Sequence, residues 1–493
     1  MGLALDELIK TAREAVAPSI PSADGLPRPG GVDPLGLRQL NFELMDATLP
    51  GVNNVVRLIR PYVVVAWAAR RAGQLSDEAK VPATPPMIRD FIDRIEVLYA
   101  WSQFALADGG SIDGLPGRRV LTTNHLTRKT YRFGGETWEA FRKTRTGSTA
   151  FTAAITYGPS IKALDWAGPS RPPAWGPSPR VQAALDAFEA SIASVLDHPA
   201  FSRFGTVTVA RADVEAWGPL WSLDDPTAAE QEAFAQTLAG DGAKASRRRT
   251  MELVRSLIEA EPDQSLSELR AAMSELDGDD PARKDWRRLQ VRQAFRLALE
   301  AWFWWCLCQL EAGPLPTSEL VARFRSKCDD WAAADRPGGW LKAPRIRCPV
   351  ELQESLSVAL KSNVDRVPVE VARTLAFCFM EADTEGDAAP ERADRLPLRR
   401  ARLEARGWSA ATPRDFLAHM LHTWLFAQHA YWSAGRGMAE VRARRSAILR
   451  LRVALDEGGW RLTRVGSRNA RPYATEDRLE TVCQLASQCG LFD

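Results

Sequence analysis

Three of the chain's five histidines, His419, His422 and His429, fall in one helix-patterned stretch at spacings of three and then seven. That spacing puts them on one helical face. Imidazole is the side chain best suited to move protons near neutral pH. Arg414 stands five positions before His419, in the run RDFLAH, directly after Thr412 and Pro413. A threonine cap followed by proline puts Arg414 in the first helical turn. There its guanidinium can hold a phosphate while His419 shuttles a proton. The neighbours Phe416, Leu417, Met420, Leu421, Trp424, Leu425 and Phe426 give the competing reading, a packed helix with core histidines. No carboxylate or cysteine stands at ligand spacing beside these histidines, so neither a zinc site nor any other metal or cofactor is expected.

The second group of residues with a chemistry is basic. Between Arg395 and Arg471 the chain carries 16 arginines, five acids and no lysine, an excess of eleven positive charges in a chain whose net charge is +2. The remainder is therefore acidic. Arg442, Arg444, Arg445, Arg450 and Arg452 share one predicted helix, and Arg461, Arg464 and Arg468 follow it. Such a field attracts phosphate backbones, which arginine holds in a two-pronged hydrogen bond. These eight arginines are the expected contacts to nucleic acid, DNA first and RNA second. The alternative is a solvated face, or salt bridges to the acidic parts of the chain. Trp408 and Trp460 are the tryptophans placed among arginines as base-stacking requires; the chain's 17 tryptophans otherwise sit in apolar runs.

Two resemblances bear on these residues. The run RDFLAH, with Arg414 and His419, resembles the motif of the HEPN ribonucleases, all-α proteins that cut RNA at a dimer interface; it implies metal-independent RNA cleavage. Earlier, DPLGL followed by LPGVNNVVRLIRPYVVVAWA resembles a group of uncharacterised bacterial proteins from anti-phage defence gene clusters. That group shares an early Leu-Gly, Phe-Pro-Gly, Arg, Tyr and Trp pattern, which here has Leu49 before Pro50 and Gly51. Its later segments, Gly/Thr-rich, then a histidine with paired glycines, then a last helix closing on Gly-Leu, correspond to residues 146–164, 429–459 and 478–492. The resemblance implies a biological setting and partner proteins from the same system, not an activity.

The elements that must position these residues are mostly helical. Residues 33–71 read as a helix, a Leu-Pro-Gly break and a longer apolar helix. Arg57 and Arg60 enter that second helix on one side, and both are expected to be structural. Their partners would be Glu43 and Asp46 across the turn, or Asp90, Asp93 and Glu96. Helical spacing also marks residues 85–106, 181–196, 228–238, 250–260, 266–273, 286–310, 318–334, 351–361, 368–380, 398–406, 413–432, 438–455 and 476–487. Residues 147–157 suggest a small-residue buried helix, and 240–249 a polar loop. Short strands are expected within 120–133, at 206–210 and 460–465, and near Tyr473. The helix–strand–strand–helix order at the end matches a degenerate winged-helix arrangement with residues 466–471 as its wing.

The expected class is mainly α with a few short strands. Pro/Gly-rich linkers divide the chain into an N-terminal helix and linker (1–32), an N-terminal helical domain (33–167), a central helical domain (177–382) and a basic C-terminal domain (396–493). No membrane span and no signal peptide are visible. The seven cysteines have no paired spacing, which points to free thiols in a reducing cytoplasm. No nucleophile elbow, dinucleotide fingerprint or phosphate loop is present. The reading is a cytoplasmic, non-enzymatic component of a defence system that binds nucleic acid and scaffolds partner proteins. Its alternatives are a HEPN-like ribonuclease effector and a pure protein–protein adaptor.

Overall fold

The computed structural model describes residues 33–79, 81–115, 117–118, 121, 125–143, 158–168, 176–275, 279–328, 348–385, 396–433, 435, 451–463 and 471–492. The expected helix over 147–157, most of the 438–455 segment and nearly all of the 466–471 wing lie outside these residues. The architecture is mainly helical, with two small two-stranded antiparallel sheets. Two compact units emerge, each built from segments distant in the chain. One comprises Met1–Leu44 and Ser267–Thr475, the other Met45–Leu266 and Glu476–Asp493.

The first unit is built on the helix Pro281–Gln309. Asp280 caps it, its carboxylate accepting the Ala282 N–H at 2.8 Å, and Pro281 fits the first turn. From Leu289 to Leu307 every residue of this helix is buried, so apolarity on all sides becomes a core rather than a stripe. Val367–Met380 and Pro349–Ser362 pack along it, and Leu352, Leu356, Val371 and Leu375 join its core. Trp302 and Trp305 close on Phe324 of the helix Thr317–Arg325, with ring centroids 4.5 and 5.7 Å away. Leu398–Gly407 and Pro413–Met420 complete the unit, and the latter runs into a wide π-turn over Leu421–Ala427. Where helix was expected through residue 455, Val453–Asp456 is a strand paired with Gly459–Leu462. The turn decides this. Asp456 accepts the Gly458 N–H, and Gly459 has φ +110°, where a Cβ would strike the Leu315 carbonyl.

In the second unit Ile59–Glu78 packs on Pro85–Leu106, with Gln182–Ser191, Ala228–Ala239 and Ala245–Ala260 around them. Thr130–Phe133 pairs antiparallel with Val207–Ala210. Several boundaries differ from expectation. The first helix begins at Arg38 and the second at Ile59, so Arg57 precedes its helix. The polar stretch is helical from Ala245. The strand expected near Tyr473 does not form. The closing helix Leu479–Gln488 belongs to this second unit, whereas the hairpin at 453–462 belongs to the first. Hairpin and closing helix thus fall in different compact units, and most of the helix and wing of the winged-helix expectation lie outside the described residues.

Candidate nucleic-acid surface

The helix Leu398–Gly407, LRRARLEARG, buries Leu398, Ala401 and Ala405 and turns Arg399, Arg400, Leu403 and Arg406 to solvent. Arg402 is tied to Asp383 at 2.5 Å. That hydrogen bond, with Arg402, Arg406 and Arg399 all nearby, holds the Asp383 carboxyl below the usual carboxylate range. On the next helix, the Thr412 hydroxyl accepts the Asp415 N–H at 3.1 Å, Pro413 takes the first turn, and Arg414 is exposed as the cap predicts.

Between these helices Glu404 is the hub. It accepts the Trp424 indole N–H at 2.7 Å and the Arg400 Nε–H at 3.1 Å, and faces His419 Nε2 at 3.5 Å. Burial works to raise its pKa; the hydrogen bonds from His419, Trp424 and Arg400 outweigh burial and hold it at about 2. The carboxylate is thus ionised at all ordinary pH values. His419 stacks on Trp408 with ring centroids 4.6 Å apart and planes 26° apart, and its side chain keeps 23% exposure. Arg400, Glu404, His419 and Trp408 form one connected surface chain.

The three histidines do not share a site. The π-turn falls between His419 and His429, and each ring takes its own partner. The Trp460 indole N–H donates to the Thr317 hydroxyl at 3.0 Å, which leaves that hydroxyl's hydrogen for His422 Nε2, also at 3.0 Å. Burial and the neighbouring His419 lower the His422 pKa. His429 is buried. Its Nδ1–H donates to the Pro34 carbonyl at 2.8 Å and its Nε2 accepts the Arg452 N–H at 2.9 Å. The two bonds fix one neutral tautomer, and burial pushes the pKa down to about 4. No group of three metal-ligating side chains occurs among the described residues.

Of the eight arginines expected to touch nucleic acid, Arg442, Arg444, Arg445, Arg450, Arg464 and Arg468 lie outside the described residues. Arg461 is neutralised by Asp456 within its own hairpin, at 2.6 Å. Arg452 is half-buried beside His429. Trp460 packs on Phe426 at 4.2 Å, so it offers no free platform. Sequence reasoning counted Arg399, Arg400 and Arg406 in the basic segment without naming them as contacts. Their signal was present in the helical spacing of Leu398, Ala401 and Ala405, which fixes the opposite face as solvent.

Arg57 and Arg60 pair with acids other than those expected. Arg60 is 2% exposed, pairs with buried Glu230 at 3.0 Å, donates to the Asp225 carbonyl, and lies over the Phe188 ring. Arg57 reaches Glu480 at 2.7 Å, Glu476 at 3.3 Å and Asp113 at 3.4 Å. Three of the five expected partners are taken elsewhere: Asp46 by Arg478 at 2.6 Å, Asp93 and Asp90 by Arg142 at 2.6 and 3.5 Å. Charge alone did not choose among acids; the placement of helices did.

The segments that carry the defence-cluster resemblance are packed in pairs. In the first unit, Gln428 donates to Leu35 O, and Gly36, at φ +74°, lies under the Trp432 ring where a Cβ would be 2.5 Å away. In the second, Gly51 lies against Leu164, and the Ile59 N–H is accepted by Gln488. These are packing contacts rather than a reaction centre. No protein-family model, curated protein or solved structure matches this chain.

Proposed function

We propose that the chain is a non-enzymatic component of a bacterial anti-phage defence system, acting in the cytoplasm, which binds nucleic acid through its arginine-rich segment and scaffolds partner proteins. The observation that carries the nucleic-acid part is the outward face of Leu398–Gly407 and the start of Pro413–Met420. Arg399, Arg400, Arg406 and Arg414 stand exposed there, around a half-buried Trp408. Exposed guanidinium groups beside an aromatic ring suit phosphates and bases together. The setting rests on the motif resemblance. No helix among the described residues is long and apolar enough to cross a membrane.

The test is salt-dependent binding of DNA and RNA by the full chain. Converting Arg406 and Arg414 to glutamine should flatten the dependence of log K on log salt by about two units, at about 0.9 per lost phosphate contact. Absence of retention on either nucleic acid at low salt sinks the reading and leaves the adaptor. The ribonuclease alternative retains one favourable observation, the exposed Arg414 five residues before a histidine that faces Glu404 at 3.5 Å. It requires metal-independent RNA cleavage that disappears in Arg414→Ala and in His419→Ala.

A further inference from the structure

Around Asp33 and Glu300 in the first unit, three guanidinium groups stand near two carboxylates. In the turn at 33–38, the Asp33 carboxylate accepts the N–H groups of Gly36, Leu37 and Arg38 at 2.7, 3.2 and 3.0 Å, so its charge is engaged by backbone. Arg38 grips Glu300 in two prongs, at 3.3 and 2.9 Å. Arg296 gives one N–H to the same Glu300 oxygen and another to the Tyr473 carbonyl, each at 2.9 Å. Glu300 is thus saturated by two guanidinium groups in a fully buried place.

Arg452 is the third. Its backbone is pinned beside this group: the N–H to His429, which in turn holds Pro34 O, and the carbonyl to the Thr463 N–H at 3.0 Å. Its side chain is half-buried, and its guanidinium meets no hydrogen-bond or ion-pair partner among the described residues. Burial lowers its pKa, the charge of Glu300 raises it and that of Arg38 lowers it, so all three groups lie within electrostatic reach of one another. A partly desolvated cation without a counter-charge is costly. Tyr473 adds an aromatic ring 4.9 Å from the Arg38 guanidinium carbon, with 60% of the residue open to solvent.

We propose that Arg452, backed by Arg38 and by the Tyr473 ring that packs on Arg38, seats a phosphate monoester, carried either by a free nucleotide or by the 5′ end of a nucleic-acid strand. A monoester dianion supplies the missing charge, and its terminal oxygens suit a two-pronged guanidinium grip. An internal diester has a sugar on each side and fits an open groove better than a half-buried seat. The exposed Tyr473 ring offers a stacking face to the attached sugar and base. In its nucleic-acid form this proposal rests on the binding reading above; in its free-nucleotide form it does not.

The experiment measures binding of one oligonucleotide with a 5′-phosphate and with a 5′-hydroxyl, with AMP and inorganic phosphate as competitors. The 5′-phosphorylated strand should bind about tenfold tighter, the worth of one charge-assisted contact, and AMP should erase that advantage. Arg452→Gln should abolish the preference, while Arg323→Gln, on an exposed helix face of the same unit, keeps it. Tyr473→Ala, an exposed change that spares the fold, should weaken AMP. If neither oligonucleotide binds but AMP does, the nucleic-acid surface falls and the phosphate seat stands as a nucleotide site. Equal binding of both strands, with no competition from AMP or phosphate, overturns the seat and leaves the surface. A preference that survives Arg452→Gln overturns it as well.

Discussion

Arg60, Arg94 and Arg247 of the second unit and the arginines of the helix Leu398–Gly407 in the first are the same residue put to opposite uses. Those three face inward. Arg94 donates to the carbonyls of Gly205 and Arg203, at 3.0 and 2.6 Å, and Arg247 to those of Thr237 and Pro50, at 3.0 and 2.5 Å. Burial pushes both guanidinium groups down to about 10. Arg60 holds Glu230 in the same interior. A guanidinium has five donors and can tie loop carbonyls that no other side chain reaches. On Leu398–Gly407 the apolar side is inside and Arg399, Arg400 and Arg406 are outside, so their side chains face the solvent. Counting arginines therefore overstates a binding surface until the buried ones are subtracted.

Four measurements break or sharpen that contrast, in descending order of their effect on stability. Arg60→Ala removes one partner of an ion pair exposed by 2% and 0% and strands Glu230. It should cost about 3–5 kcal/mol by chemical denaturation. A loss below about 1 kcal/mol would falsify the view that the inward arginines hold the second unit together.

Acid is the second probe. His125 is wholly buried among Trp101, Tyr131, Phe133 and Phe141, and neither of its ring nitrogens meets a hydrogen-bond partner among the described residues. Burial, with Arg128 adding to it, pushes its pKa down to about 3. The folded state thus binds the proton later than the unfolded chain. The contribution is whole above about pH 6.5 and shrinks as pH falls toward 3, by up to about 1.4 kcal/mol per unit. Roughly 2 kcal/mol should be gone by pH 5. His125→Phe should remove that share of the slope and leave the share of His429, whose pKa is about 4. An unchanged slope would mean that the ring reaches water in the native state.

Arg57→Ala comes third. Its three acids are 44–74% exposed, so solvent screens them and the cost should be about 1 kcal/mol or less. A cost near that of Arg60→Ala would mean these acids are shielded in solution. The smallest effect on stability belongs to Arg406→Gln with Arg414→Gln, within about 0.5 kcal/mol of wild type by thermal unfolding. The same pair should give the clear loss in salt-dependent binding described above. Large destabilisation with unchanged binding would invert the contrast between the two regions.

Local chemistry was legible in the chain. Helical periodicity after Pro85 marks residues 85–106, and Pro85–Leu106 is the helix that forms. Apolarity on all sides of AWFWWCLC marks a core, and Trp302 to Leu307 are buried. Caps and periodicities involve residues within a few positions of each other, so sequence alone determines them. The histidine face was less legible, because a π-turn shifts the register within one helix and nothing in residues 421–427 announces it.

Partner choice belonged to the tertiary structure. Thr130–Phe133 could pair with any strand, and it is the packing of the second unit that brings Val207–Ala210 to it. Arg57 had five candidate acids within 60 residues and took three others, two of them near the chain's end. His429 reads in sequence as one of three histidines on a helical face and becomes a neutral clasp once Pro34 and Arg452 arrive on its two nitrogens. A side chain's type and spacing fix what it can bond. Only the folded chain fixes which groups come within 3 Å of it, because that distance depends on residues hundreds of positions away.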